Sequence, residues 1–413
     1  MDGVAVTGIG AATPAGIGLD ALWTSVERTR ACITGIDRFD ASGYACPAAG
    51  QVGFTAAEHL PARFIKRTDR FTHLAVFTAR QALADAGVRV GVDVAPERAG
   101  VMVGNVLGGW EFAERELRKL WTEGMRAVSP YQATAWFPAA PQGNICIDLG
   151  IKGPARTFVA DRASGAYAIL RGAETLLRGQ ADVVLAGGVE APLSPYGWLC
   201  LETSGLMAKA RAGQQPGALY RPFDAGHSGT VFGEGGLFLV LERRESARRR
   251  GVEIYGEIAG WGVSTDGYMP YYTVEPTGRV LARAMRAAVT RSGVAPREVG
   301  AVFAHGSGIP VEDVTEGYAI REVFGDAADH LPVTAPKAGF GHLLGAAAPV
   351  DVALALWAMR LGLVPATVNL ERSAPGLDLD LVQGGPRRIG RWEHSLVVCR
   401  GLGGVNACLM VRR

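Results

Sequence analysis

At 413 residues the chain is longer than one hydrophobic core usually grows, so two domains or two fused half-domains are expected. Hydrophobic residues make up 48% and charged residues 20%, a globular composition that excludes a disordered or collagen-like chain. The 42 basic and 40 acidic side chains nearly cancel, to a net +2, which excludes a general nucleic-acid or anionic-membrane binder.

The opening residues, MDGVAVTGIG, carry an acid and no basic stretch, so no secretory signal is expected. Val4 to Gly8 reads as a strand entering a turn at Gly8-Ile9-Gly10. Phe71, Leu74, Ala75, Ala79, Leu83 and Ala86 recur at helical spacing and predict a helix over 70–86. Strands are expected over 100–106, 181–186 and 237–242, and again over 254–258, 299–304, 395–399 and 408–411. Helices over 280–291 and 350–361 separate the second series, and the alternation is that of an α/β protein. The basic run Arg243-Arg244…Arg248-Arg249-Arg250 lies between the two series as a solvated helix end. It divides the chain into halves at 1–250 and 251–413. The most apolar stretch, 342–364, is broken by Pro349, Asp351 and Arg360, so no membrane span is expected. Six cysteines without a CxxC spacing indicate reduced thiols in a cytoplasm, with no disulfide framework and no metal site.

Chemistry points first to the segment 153–165, GPARTFVADRASG, where a strand ends and a helix over 166–180 begins. That helix is apolar nearly all round in its first turns and is therefore buried. Its N-terminus offers unpaired N–H groups and a positive dipole end, the setting in which a nucleophile is activated or an oxyanion held. From residues alone, a core strand-to-helix turn fits equally well. His305, in HGSGIPVEDVTE, and His342, in PKAGFGHLLGAAAP behind Lys337, each follow a strand among small residues and suggest a pocket.

Taken together these segments resemble the β-ketoacyl-acyl-carrier-protein synthases of the thiolase fold. The resemblance rests on ADRASG (160–165), on HGSG with Asp313 and Glu316, and on Lys337 with GHLLGAA (341–347). RPFDAGHSGTVFGEGG (221–236), AGGVEAP (186–192) and GLGGVN (401–406) extend it. It implies two similar βαβ-type halves in a five-layered αβαβα arrangement, with no cofactor. Ketosynthases carry a nucleophilic Cys at the elbow; here the position is Arg162, which can neither be deprotonated nor carry an acyl thioester. Cys46, in YACPAAG, is the nearest mimic of a nucleophile but lacks the buried helix. SPYQATAWF (129–137) with QGNI (142–145), and GGWEF (108–112), further resemble the chain-length factors, the ketosynthase-β subunits of type II polyketide synthases.

That resemblance implies a heterodimer with a Cys-bearing ketosynthase-α, formed through a strand around 157–160, and an acyl carrier protein bringing malonyl or polyketide chains. It places Trp110, Ala113 and Leu117 on one helical face lining a polyketide tunnel, with Tyr196 as a fourth lining position and Trp198 as the other option. Arg162 is read as a structural plug near His305, His342 and Lys337. Asp161 is expected to hold Arg162, and Glu316 to hold Lys337, since buried charges need partners. The neighbouring cations are expected to keep both imidazoles neutral. The alternatives left open are a residual malonyl-carrier-protein decarboxylase, or a ketosynthase-like acyltransferase, working through His305 and His342.

Overall fold

A computed structural model describes residues 3–413. Ten strands run through its main sheet: β1 (Val4–Thr13), β2 (Ala99–Gly104), β3 (Ala155–Phe158), β4 (Val183–Glu190), β5 (Gly235–Arg243), β6 (Gly256–Thr265), β7 (Ala301–Phe303), β8 (Val333–Thr334), β9 (His394–Gly401) and β10 (Val405–Arg412). A short strand, Gly16–Ile17, pairs with β1 and completes an eleven-stranded sheet. The spatial order is β8-β7-β9-β10-β6-β1-β5-β4-β2-β3. Read from the outer edge inward, the halves are β3-β2-β4-β5-β1 and β8-β7-β9-β10-β6. Numbered within its own half, each runs third, second, fourth, fifth, first. Strand directions match as well: two parallel pairings at the outer edge, then two antiparallel ones. The halves join where β1 pairs antiparallel with β6, Val4 opposite Ile258.

Seven helices matter for the site: α1 (Arg70–Asp85), α2 (Trp110–Glu123), α3 (Ala140–Leu149), α4 (Ser164–Leu177), α5 (Arg279–Ser292), α6 (Pro310–Phe324) and α7 (Ala347–Leu361). One core contains α4 and α7 side chains such as Ile169, Leu170, Leu354 and Leu356, packed between the two half-sheets. A second core lies under α1 on the outer face of the first half, and a third under α5 and α6 on the outer face of the second. Helix, sheet, helix pair, sheet, helix gives the five layers of a thiolase fold. The run Leu344–Leu361 is long and apolar enough to cross a membrane, but 83% of it is buried, so it is a core helix.

Two local expectations are corrected. Gly8 and Gly10 make no turn; both lie inside β1. A Cβ at Gly8 would come within 2.3 Å of the Ala82 carbonyl, and one at Gly10 within 2.0 Å of the Thr78 carbonyl. These glycines let α1 cross directly on the strand. The elbow helix starts at Ser164, two residues before its expected first residue, and ends at Leu177. The basic run does form a helix, Arg244–Arg250.

Candidate functional site: a filled elbow between the halves

β3 is followed by Asp161, whose φ of +46° turns the chain sharply into α4. Ser164 fixes the turn: its hydroxyl accepts from the Ala160 N–H at 2.8 Å and donates to the Asp161 carbonyl at 2.6 Å. Gly165 is required because a Cβ there would stand 2.4 Å from the Gly345 carbonyl. Elbow and the loop before α7 therefore meet backbone to backbone.

Arg162 projects from this elbow into the interior and is 2% exposed. Its two terminal nitrogens donate to the carboxylate of Glu312 on α6, at 2.9 and 2.8 Å, and Nε donates to Asp161 at 3.2 Å. Bidentate pairing of this kind is the strongest a guanidinium makes. Burial works to lower the pKa of Arg162, but Glu312 and Asp161 outweigh it and hold the group charged. Glu312, equally buried, is held well below the usual carboxylate range: burial opposes its ionisation, and Arg162 overcomes it. A cation at a helix N-terminus is unfavourable; the Glu312 carboxylate offsets it. The expected partner, Asp161, is thus the lesser one. It also accepts from the Leu402 N–H at 2.7 Å, tying the elbow to the loop 401–404.

His305 follows β7, and His342 sits on the loop before α7. Their rings lie 5.0 Å apart at an interplanar angle of 70°. The His342 Nδ1 accepts from the Leu344 N–H at 3.1 Å. The Nε2 atoms of both rings are buried without a hydrogen-bond partner, and the His305 Nε2 stands 3.6 Å from Glu312. Burial pushes the His305 imidazole down to about 4, with Glu312 acting against the shift and Arg162 adding to it. His342 is also held well below the usual imidazole range, again chiefly by burial, then by His305, Arg162 and Lys337. Both rings are neutral, as expected, though desolvation outranks the neighbouring cations as the cause.

The expected pairing of Glu316 with Lys337 is wrong. Lys337 pairs with Asp351 of α7 at 2.8 Å and donates to the Ala304 carbonyl. Glu316 instead accepts the backbone N–H groups of His305, at 2.7 Å, and Gly306, at 2.9 Å, which sets the position of the histidine loop. Glu312 and Asp351 were missed. Glu312 lies one turn before Glu316, and Asp351 is the lone acid in an apolar helix; both signals were present in the sequence.

A model of the β-ketoacyl synthase N-terminal domain matches residues 1–247, and one of the C-terminal domain matches 255–371. The tetracenomycin polyketide synthase ketoacyl synthase beta subunit of Streptomyces glaucescens is 42% identical, over 99% of this chain and 98% of that protein. The chain belongs to the β-ketoacyl synthase family. Its similarity to the actinorhodin polyketide putative beta-ketoacyl synthase 2 of Streptomyces coelicolor is 38% identity, over 99% of this chain and 98% of that one. Among solved structures, the ishigamide ketosynthase/chain length factor superposes with a TM-score of 0.90 at 28% identity, covering 100% of this chain and 99% of that one.

As a β-ketoacyl synthase of the ketosynthase-β type, the chain has its nucleophile elbow intact and filled by a paired arginine. Three of the five N–H groups of Arg162 are committed, two to Glu312 and one to Asp161, and these carboxylates balance its charge within the pocket. Cys46 does not substitute: burial pushes its thiol up to about 11, and it donates to the Ala48 carbonyl. On α2, the ring of half-buried Trp110 lies 5.1 Å from that of Tyr196, and the Tyr196 N–H is fixed by Glu114 at 2.9 Å. Ala113 is buried, and Leu117 is 38% exposed. Trp198 is fully buried and donates to the Cys46 carbonyl at 2.8 Å, so it is core and the weaker option as a lining residue.

Proposed function

We propose that this protein is the non-nucleophilic, chain-length-determining subunit of a type II polyketide ketosynthase. The observation that carries this reading is the Arg162–Glu312 pair, which occupies the place of an acylated nucleophile with a buried ion pair. Acyl transfer and condensation then belong to the cysteine of a ketosynthase-α partner, served by an acyl carrier protein loaded with malonyl or the growing chain. No metal or cofactor is needed for that chemistry.

This chain's own residues contribute walls. Trp110 and Tyr196 are the best placed to stop an extending polyketide, with Ala113 and Leu117 further along the same helical face. The open edge of β3 and the exposed Val159, Trp136, Phe137 and Ile147 on adjoining segments support an obligate interface, above about 2,000 Å² in total. A cytoplasmic location fits the six unpaired cysteines and the burial of the apolar helix. The test is co-expression with a ketosynthase-α and carrier protein. The pair should co-purify and release a product of defined length that is absent without this chain. A monodisperse monomer, unchanged by the partner, would sink the reading.

A further inference from the structure

The pocket around the elbow retains the groups that would activate a thiol. Residue 162 stands at the N-terminus of a buried helix, and two neutral imidazoles present unpartnered, buried Nε2 atoms close by. Lys337 is turned away onto Asp351 and Glu316 onto the backbone of the histidine loop, while Asp161 shares one carboxylate oxygen between the Arg162 Nε and the Leu402 N–H. Only Glu312 brings an ionised group against His305 from α6. We infer that Glu312 is a positioning residue that holds this elbow in its non-nucleophilic state, so that the site is locked by two residues and not by the loss of a cysteine alone. The inference rests on reading the elbow as inert and is independent of how chain length is set.

The physical argument follows from removing one partner at a time. With Arg162→Cys, the Glu312 carboxylate stays buried with His305 as its nearest cationisable neighbour. It draws a proton onto that ring and repels a thiolate at position 162. With Arg162→Cys/Glu312→Gln the carboxylate facing His305 is gone, while Asp161, held by the Leu402 N–H, is common to both variants and does not change between them. The imidazole can then take the thiol proton, and the helix N-terminus favours the thiolate.

The test uses the full-length purified variants and iodoacetamide, with peptide mass spectrometry separating position 162 from the native cysteines. In the labelling step the thiolate sulfur forms a bond to carbon as the C–I bond breaks; iodide leaves, and the thiol proton passes to His305 or water. At pH 7 the double variant should label at position 162 at least about tenfold faster than Arg162→Cys, with its rate profile displaced to lower pH. Arg162→Cys/Glu312→Asp, which keeps the charge, should remain slow. Equal rates in the single and double variants would overturn the inference. Should the single variant fail to fold, the double variant must still fold and label faster at 162 than at Cys46; labelling no faster than that buried thiol overturns it equally. Co-purification and product length in the native heterodimer are untouched by either result.

Discussion

Arg162 shows how the cost of a buried charge depends on what is left behind. Arg162→Met alone strands the Glu312 carboxylate in the interior and should destabilise the fold by about 3–5 kcal/mol, measured by denaturant unfolding. Arg162→Met/Glu312→Leu removes both charges and should recover most of that loss, because an apolar replacement of a buried pair is often neutral. If the single and double variants are equally destabilised, the pair is not the unit that matters. The same residues set a pH dependence. His305, at about 4 when folded and 6.5 when free, binds its proton more readily in the unfolded chain, and His342 is displaced in the same direction. Stability from these rings is therefore full above pH 6.5 and falls as pH drops through the window between 6.5 and about 4. Glu312, depressed by Arg162, adds a loss that begins below its ordinary value of 4.5. His305→Gln should flatten the first part of that acid limb in a pH series of unfolding curves.

The helix α2 presents the chain-length prediction. Trp110→Ala, co-expressed with the native partner, should lengthen the released polyketide by one or more two-carbon units. At Ala113, which is 4% exposed, an indole would overpack the site, so Ala113→Leu is the appropriate shortening variant. Mass spectrometry at equal soluble heterodimer decides it. Unchanged length in both active variants would make this face ordinary core packing. That Trp110, Ala113 and Leu117 share a face follows from helical spacing, a local property, whereas their lining role is implied only by the resemblance to chain-length factors. The elbow and both histidine loops were readable from sequence, because their small residues and abrupt change from strand to helix are written in one short segment each. The ion-pair partners were not. Arg162 and Glu312 are 150 residues apart, and whether Lys337 turns toward Glu316 or Asp351 depends on how α6 and α7 are placed by the whole core. Gly8 and Gly10 failed for a related reason: a glycine that makes room for a crossing helix has the same local signature as one that makes a turn.

At the scale of the molecule, the two halves repeat one strand order and one set of strand directions, a structural repeat carried by the hydrogen-bonding pattern. The repeat is broken at its two outer edges. Beyond β8, the segment 380–382 covers the sheet: the Val333 N–H donates to the Asp380 carbonyl and the Val382 N–H to the Val333 carbonyl, each at 2.9 Å. Beyond β3, among the described residues, no such strap is present, and the outward backbone groups of Ala155–Phe158 are unpaired. A sheet with two open ends can polymerise, each added copy exposing a fresh edge. This one has a valence of one. Joining any partner through β3 consumes the single adhesive end, so growth terminates at two chains. Light scattering on the heterodimer should give the same mass from micromolar to millimolar concentration, and cutting back the 380–382 strap should be the change that lets longer assemblies form.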